Sequence, residues 1–192
     1  MSLPRFSTTP SGRTAVHYLA YGSNLHPARL AARVPSARPV GVVEISGYSL
    51  AFHKRSVDGS AKCLLYPGQG PQQKAYGVIY EFDAREKDDL DRHEGKGNGY
   101  YEQLVRLPLN AESYTPYLYL ARSTHIDPDL VPYDWYKALV VAGARFHNFP
   151  AEYVAAIEAT PSRPDPDPAR AQQNEQLLRS FSVAGDTLEY RE

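Results

Sequence analysis

Glu94 stands in the run Leu90-Asp91-Arg92-His93-Glu94-Gly95, at the last turn of a helix that starts at Asp83 and stops at Gly95. The carbonyl end of a helix is partially negative, so a Glu placed for helix stability belongs at the other end. A carboxyl kept here is instead suited to proton transfer. Gly97, Gly99 and the pair Tyr100-Tyr101 follow it and make a flexible, aromatic-lined bend. Two readings of Glu94 stand at this level: a general base, or a solvated side chain at a frayed helix end.

The second candidate is the segment Tyr21-Gly22-Ser23-Asn24-Leu25, a small-residue loop between a strand and a helix opened by Pro27. Such a loop offers several unpaired backbone N–H groups that can hold an anion. With no GxGxxG and no Walker lysine, a small carboxylate-bearing ligand suits it better than a nucleotide, and an ordinary βα turn is the alternative. Ser23 lacks the glycines of a G-x-S-x-G elbow, which argues against a serine nucleophile. Cys63, in the apolar run KCLLY, reads as a small buried hydrophobe. The six histidines show no HExxH or other helical ligand spacing, so no metal and no cofactor are expected.

Composition narrows the classes further. The 192 residues carry 21 Lys+Arg against 22 Asp+Glu and are 42% apolar, which fits a single globular unit without a basic surface for nucleic acid. No apolar run approaches the ~20 residues that span a bilayer, and one cysteine permits no internal disulfide. The expected setting is cytoplasmic, with no membrane and no nucleic-acid partner. Tyr, at 15, outnumbers Phe at 6 and Trp at 1, so some rings can line a wet pocket with their polar tips.

The elements that must position these residues follow from periodicity and turn chemistry. Residues 1–14 read as a disordered leader, residues 15–162 as one domain, and residues 163–192 as a Pro-rich break followed by a polar helix or tail. Strands are expected at Ala15–Ala20, Val40–His53 with an interruption at Gly47, within the stretch DGSAKCLLYPGQG, and at Lys74–Phe82, Tyr101–Leu107 and Tyr114–Ala121. Helices are expected from Pro27, from Asp83 with a capping-box-like Glu86, at Asp134–Phe146, and at Pro150–Glu158 with Asn148 as cap. Strands and helices alternate without βαβ regularity. The expected class is α+β, with a small, strongly curved, mostly antiparallel sheet or barrel and flanking helices.

Together these pieces resemble the gamma-glutamylcyclotransferase family. The residues that carry the resemblance are Tyr21 to Leu25 (YGSNL), Arg29, Arg33, Pro35-Ser36-Ala37, Tyr76-Gly77-Val78-Ile79-Tyr80, Asp91-x-x-Glu94-Gly95, Tyr136-Lys137, Gly143-Ala144 and Pro150-x-Glu152-Tyr153. The resemblance implies an enzyme that cyclises a gamma-glutamyl group to 5-oxoproline and releases the attached amine or amino acid. It implies Glu94 as general acid/base, and Tyr21, Gly22, Ser23, Asn24 and Leu25 as the loop that binds the glutamyl end. It places Tyr101, Tyr117 and Tyr136 near the pocket, with core packing as the alternative for each. The stretch Asp58 to Gly70 departs from the pattern of animal members, which leaves the leaving group open. The competing function is a non-catalytic module that holds a small carboxylate metabolite.

Overall fold

The computed structural model describes residues 7–8, 14–68, 70 and 72–184. Most of the expected leader, residues 1–14, lies outside them; Ser7–Thr8 (β1) pairs antiparallel with the start of Thr14–Ala20 (β2). β2 is apolar along nearly its whole length, as a strand covered on both faces must be, and lies in the middle of the main sheet. The chain leaves it through the loop at residues 21–26 and enters a short helix, Pro27–Ala31 (α1). Pro27 sits at the first helical position and His26 Nδ1 accepts from the Ala28 amide.

The run from Val40 to His53 forms two strands that belong to different sheets, Arg38–Ser46 (β3) and Tyr48–Arg55 (β4). Gly47, at φ +79°, makes the turn between them. β4 pairs with Ala61–Pro67 (β5) as a separate ribbon, while β3 pairs with Lys74–Asp83 (β6). Asp83 then accepts from the Arg85 amide to start a 3-10 turn, Ala84–Glu86, that runs into Lys87–Glu94 (α2). The expected capping box is not made. Glu86 instead takes the Ser36 amide and hydroxyl at 3.1 and 2.7 Å, and the Asp83 amide donates to Ser36 Oγ at 2.9 Å. The start of α2 is thereby tied to the segment after α1.

Each of the next two expected strands is broken. Tyr100–Leu104 (β7) is followed by a small ribbon of Leu107–Leu109 (β8) and Glu112–Tyr114 (β9), and Tyr117–Ala121 (β10) resumes after Pro116. Pro116 has no amide hydrogen for a ladder, but its carbonyl accepts from Val105. The main sheet has the order β3-β6-β2-β10-β7, antiparallel except for the β2–β10 pair, where Tyr117 lies opposite Tyr18. The fold is α+β, a mostly antiparallel sheet with flanking helices, as expected.

Three helices close the chain: Asp134–Phe146 (α3), Ala151–Ala159 (α4) and Pro168–Ala184 (α5). α3 buries Trp135, Tyr136, Leu139, Val140, Gly143 and Ala144, one stripe of its surface. Asn148 does not cap α4. It takes a left-handed φ of +54° at the end of α3, with the Phe149 amide donating back to Ala144 O, and Pro150 precedes α4. Gly143 brings α3 against the loop after β2: a Cβ there would lie 2.4 Å from Leu25 Cβ and 2.7 Å from the His26 amide nitrogen. His26 is stacked on Phe181 of α5 with ring centres 3.7 Å apart.

Two outcomes follow from this packing. Gly143→Val should lower the stability by about 1–3 kcal/mol through overpacking against backbone that cannot retreat, read as a fall in urea midpoint. His26 is held down to about 4, first by burial and then by nearby His147. Its unfolded value is about 6.5, so the unfolded chain takes up the proton first as pH falls. The contribution is full above pH ~6.5 and is lost on the way to pH ~4, at most ~3 kcal/mol. Urea titrations from pH 7 to 4 should show this loss, and His26→Asn, which keeps a capping acceptor, should flatten it.

Candidate active site

A small, partly open cavity lies where the β2–α1 loop faces the end of α2. The loop contributes Tyr21, Gly22, Ser23 and Asn24, and α2 contributes Glu94. Cys63 of β5 and Tyr18, Tyr100, Tyr119 and Tyr136 complete the wall. The loop keeps its shape through a turn in which the Leu25 amide donates to Gly22 O at 3.0 Å, so the intervening Ser23 and Asn24 amides lie inside that turn. Gly22 serves close approach rather than a left-handed φ: a Cβ on it would lie 3.1 Å from Cys63 Cβ, a tight contact.

Glu94 is the last residue of α2, and Gly95 ends the helix at φ +65°. Its Oε1 accepts from Arg33 Nη1 at 2.6 Å and from Asn24 Nδ2 at 2.9 Å. Arg33 Nη1 also donates to Asn24 Oδ1 at 2.8 Å, which closes a three-membered set. Asn24 Nδ2 donates further to Tyr18 OH. Glu94 and Arg33 side chains are each 18% exposed, so the pair is shielded but reachable. Asn24, expected to bind ligand as part of the loop, therefore spends its amide on fixing the carboxylate and its guanidinium partner. The sequence reading considered only the helix end around Glu94; the structure adds a cation that faces it.

The tyrosines are anchored by their hydroxyls. Tyr100 OH donates to Cys63 O at 2.7 Å, and the Cys63 amide donates to Tyr136 OH at 3.1 Å, so two rings bracket one residue of β5. Tyr21 OH donates to Tyr119 O, and Tyr119 OH donates to Asp91 Oδ1 at 2.5 Å. Asp91 is held as well by Lys87 and Lys96, and those cations, with Tyr119, keep its carboxyl below the usual range despite burial. Burial raises the hydroxyls of Tyr18, Tyr21, Tyr100 and Tyr136 well above the ordinary tyrosine value. They are fixed neutral walls at neutral pH. Burial likewise pushes the Cys63 thiol up to about 12.

Of the residues singled out in the sequence, Glu94, Tyr21, Gly22, Ser23, Asn24 and Tyr136 meet at the cavity. Leu25 does not line it. Its side chain is buried beneath the loop, and its carbonyl accepts from Tyr80 OH at 2.5 Å with His147 Nε2 at 2.8 Å. Tyr117 sits one layer behind the wall, packed against the rings of Tyr18 and Tyr119. Tyr101 points to the other face of β7, into a separate groove shared with Tyr48 and Tyr66. Its neighbour Tyr100 takes the cavity position, because successive side chains of a strand alternate between faces. Sequence reasoning missed Tyr18, Tyr100, Tyr119 and Arg33 as site residues; the pair Tyr100-Tyr101 signalled an aromatic here but not its phase. Among the described residues no three His, Cys, Asp or Glu side chains gather as a metal site, and no helix is long and apolar enough to cross a membrane.

Comparison with known proteins places this geometry. Residues 74–157 match the model of the AIG2-like family. Human gamma-glutamylcyclotransferase is 28% identical over 149 residues, covering 74% of this chain and 77% of that protein. The mouse protein of the same name is 27% identical over 150 residues with the same coverage. A solved gamma-glutamyl cyclotransferase structure superposes with a TM-score of 0.73 at 22% identity, over 86% of this chain and 99% of that one. These findings bear out the resemblance read from YGSNL and D-x-x-E-G. The chain has the gamma-glutamyl cyclotransferase fold, and its residues 74–157 carry the AIG2-like family match.

Proposed function

We propose that this protein is a cyclotransferase that converts a gamma-glutamyl amino acid or amine into 5-oxoproline and the free amine. The observation that carries this reading is the Glu94 carboxylate fixed at the wall of a tyrosine-lined cavity that residues 21–24 of the loop also line. The reaction brings its own nucleophile. The substrate's α-amino nitrogen attacks its γ-carbonyl carbon, a C–N bond closes the five-membered ring, and the scissile C–N bond breaks. Glu94 takes a proton from the α-ammonium to free the attacking amine and passes it to the departing nitrogen; the second proton, shed by the attacking nitrogen as the ring closes, ends on the released amine, so no serine, cysteine or metal is needed.

Arg33 and Asn24 hold the carboxylate by Oε1, which leaves Oε2 for the proton. The Ser23 and Asn24 amides receive the glutamyl α-carboxylate or the carbonyl oxygen as its charge grows. The anchored rings fix the shape of the cavity, and burial keeps their hydroxyls neutral, so they serve as walls rather than as proton carriers.

Glu94→Gln keeps the acceptor oxygen that Arg33 and Asn24 hold, so it should fold normally. Its 5-oxoproline formation from gamma-glutamyl-alanine should fall by ~10²–10⁴-fold. Turnover within about threefold of the parent would remove Glu94 from the mechanism. A substrate acetylated on the α-nitrogen should yield no product, since its nucleophile is blocked; release of alanine from it, with N-acetylglutamate as co-product, would point to hydrolysis. Cys63 gives a third check. With the thiol near 12, only about one molecule in 10⁴ carries a thiolate at pH 8. Iodoacetamide should therefore leave the folded protein unmodified and active, and label Cys63 in urea; rapid labelling with loss of activity would reopen a thiol nucleophile.

A further inference from the structure

β4 stands behind the cavity and sends two buried side chains toward its walls. Phe52 meets the ring of Tyr136 edge-on at 6.3 Å, and Lys54 sets its Nζ 4.4 Å from the centre of the Tyr100 ring. Both rings line the cavity. Phe52 needs no explanation at such a position. Lys54, at 6% exposure, does.

A buried lysine usually has an acid to match, and Lys62 on the neighbouring strand shows it: its Nζ is 2.7 Å from Asp58 Oδ2. Lys54 has no carboxylate within 4.0 Å and no hydrogen-bond acceptor among the described residues. The ring face of Tyr100 returns only part of the hydration the ammonium has lost. Glu94, the carboxylate of this cavity, is already taken by Arg33. Burial lowers the Lys54 ammonium from its ordinary value, while the charge of Glu94 acts in the opposite direction. The bend after Glu94 fixes the place of the amine: a Cβ on Gly99, at φ +101°, would come within 3.1 Å of Lys54 Cε. The lysine tail is therefore packed under the segment that joins Glu94 to Tyr100.

We propose that Lys54 is a specificity-determining residue whose ammonium pairs with the carboxylate of the leaving amino acid. The site then favours gamma-glutamyl amino acids with a free α-carboxylate over gamma-glutamyl amines. This rests on the cyclotransferase reading of the same site. In a gamma-glutamyl amino acid the leaving carboxylate is two bonds from the scissile nitrogen, so a cation serving it must lie near the reacting atoms. The glutamyl end has the loop amides for its own carboxylate. The second carboxylate needs a cation that no protein acid has claimed, and Lys54 is such a cation.

The test compares gamma-glutamyl-alanine with gamma-glutamyl-ethylamide, which lacks only that carboxylate, in the full chain and in Lys54→Met, Lys54→Gln and Lys54→Arg. The parent should prefer the alanine compound in kcat/KM by roughly 10- to 100-fold, the range of one charge-assisted contact. In Lys54→Met and Lys54→Gln that ratio should collapse toward one through a raised KM for gamma-glutamyl-alanine, and Lys54→Arg should restore most of it. A parent that cleaves both compounds equally overturns the proposal, as does a Lys54→Met or Lys54→Gln variant that slows both by the same factor. If Met does not fold, as read by thermal melting, the Gln variant and the parent ratio decide. A parent that makes 5-oxoproline from neither compound overturns the cyclotransferase reading, and the role of Lys54 with it; activity with an unchanged ratio overturns Lys54 alone.

Discussion

A carboxylate at the carbonyl end of a helix, mostly out of water, needs a cation and fixed donors to stay in one place. Glu94 has both in Arg33 and Asn24, which come from a distant part of the chain. The position of α1 and its flanks relative to α2 is therefore the constraint on which the site depends. A five-residue helix cannot hold such a position by itself. α1 is fixed from several directions: Leu30 and Val34 are fully buried, Gly143 lets α3 touch the preceding loop, and Ser36 is tied to Glu86 and Asp83 at the start of α2. The two ends of the Glu94–Arg33 pair thus sit on segments that are also linked through Ser36.

The tyrosines explain how a wall can be rigid and still bind polar ligands. In and beneath the cavity wall four hydroxyls donate to a backbone or carboxylate partner: Tyr21 to Tyr119 O, Tyr80 to Leu25 O, Tyr100 to Cys63 O, Tyr119 to Asp91. A phenylalanine would fill the same volume and leave those acceptors unsatisfied. The rings tie β5, β10 and the loop after β2 into one frame, and that frame sets the approach of any ligand to Glu94.

Local signals were readable in the sequence, and relations across the chain were not. The strand, loop and helix from Ala15 onward followed from turn formers and Pro27, and the end of α2 followed from Gly95. Arg33 could be matched as a residue but not as the partner of Glu94, because nothing local links positions separated by that much chain. The resemblance put Tyr101 near the pocket, but β7 presents Tyr100 there, since neighbouring residues of a strand face opposite sides. Lys54 carried no signal at all. β4 looked like part of one alternating run with β3; Phe52 and Lys54 share a face by the two-residue period, but only the placing of β4 beside β5 in a ribbon of its own shows that this face meets the rings of Tyr136 and Tyr100. The capping box failed for the same reason, since Ser36 outcompeted the local partner of Glu86.

The C-terminal segment, beyond the residues of the family match, shows how far the support of the site extends. Arg163 donates to Gly59 O at 2.9 Å, in the loop whose Asp58 pairs with Lys62. Asp165 accepts from Trp135 Nε1 at 2.7 Å and from Arg170 through two of its nitrogens, which fastens the start of α5 to α3 beside Tyr136. Further along α5, Phe181 stacks on His26, the cap of α1. One polar helix thus contacts elements on two sides of the cavity: the β4–β5 ribbon through its leading segment, and the entry to α1 through its far end. α5 adds Phe181 to the core, with Ala171, Leu177 and Leu178 packed against it, and together with the anchored polar contacts of its leading segment this limits how far the loop at residues 21–26 and the Asp58 loop can separate.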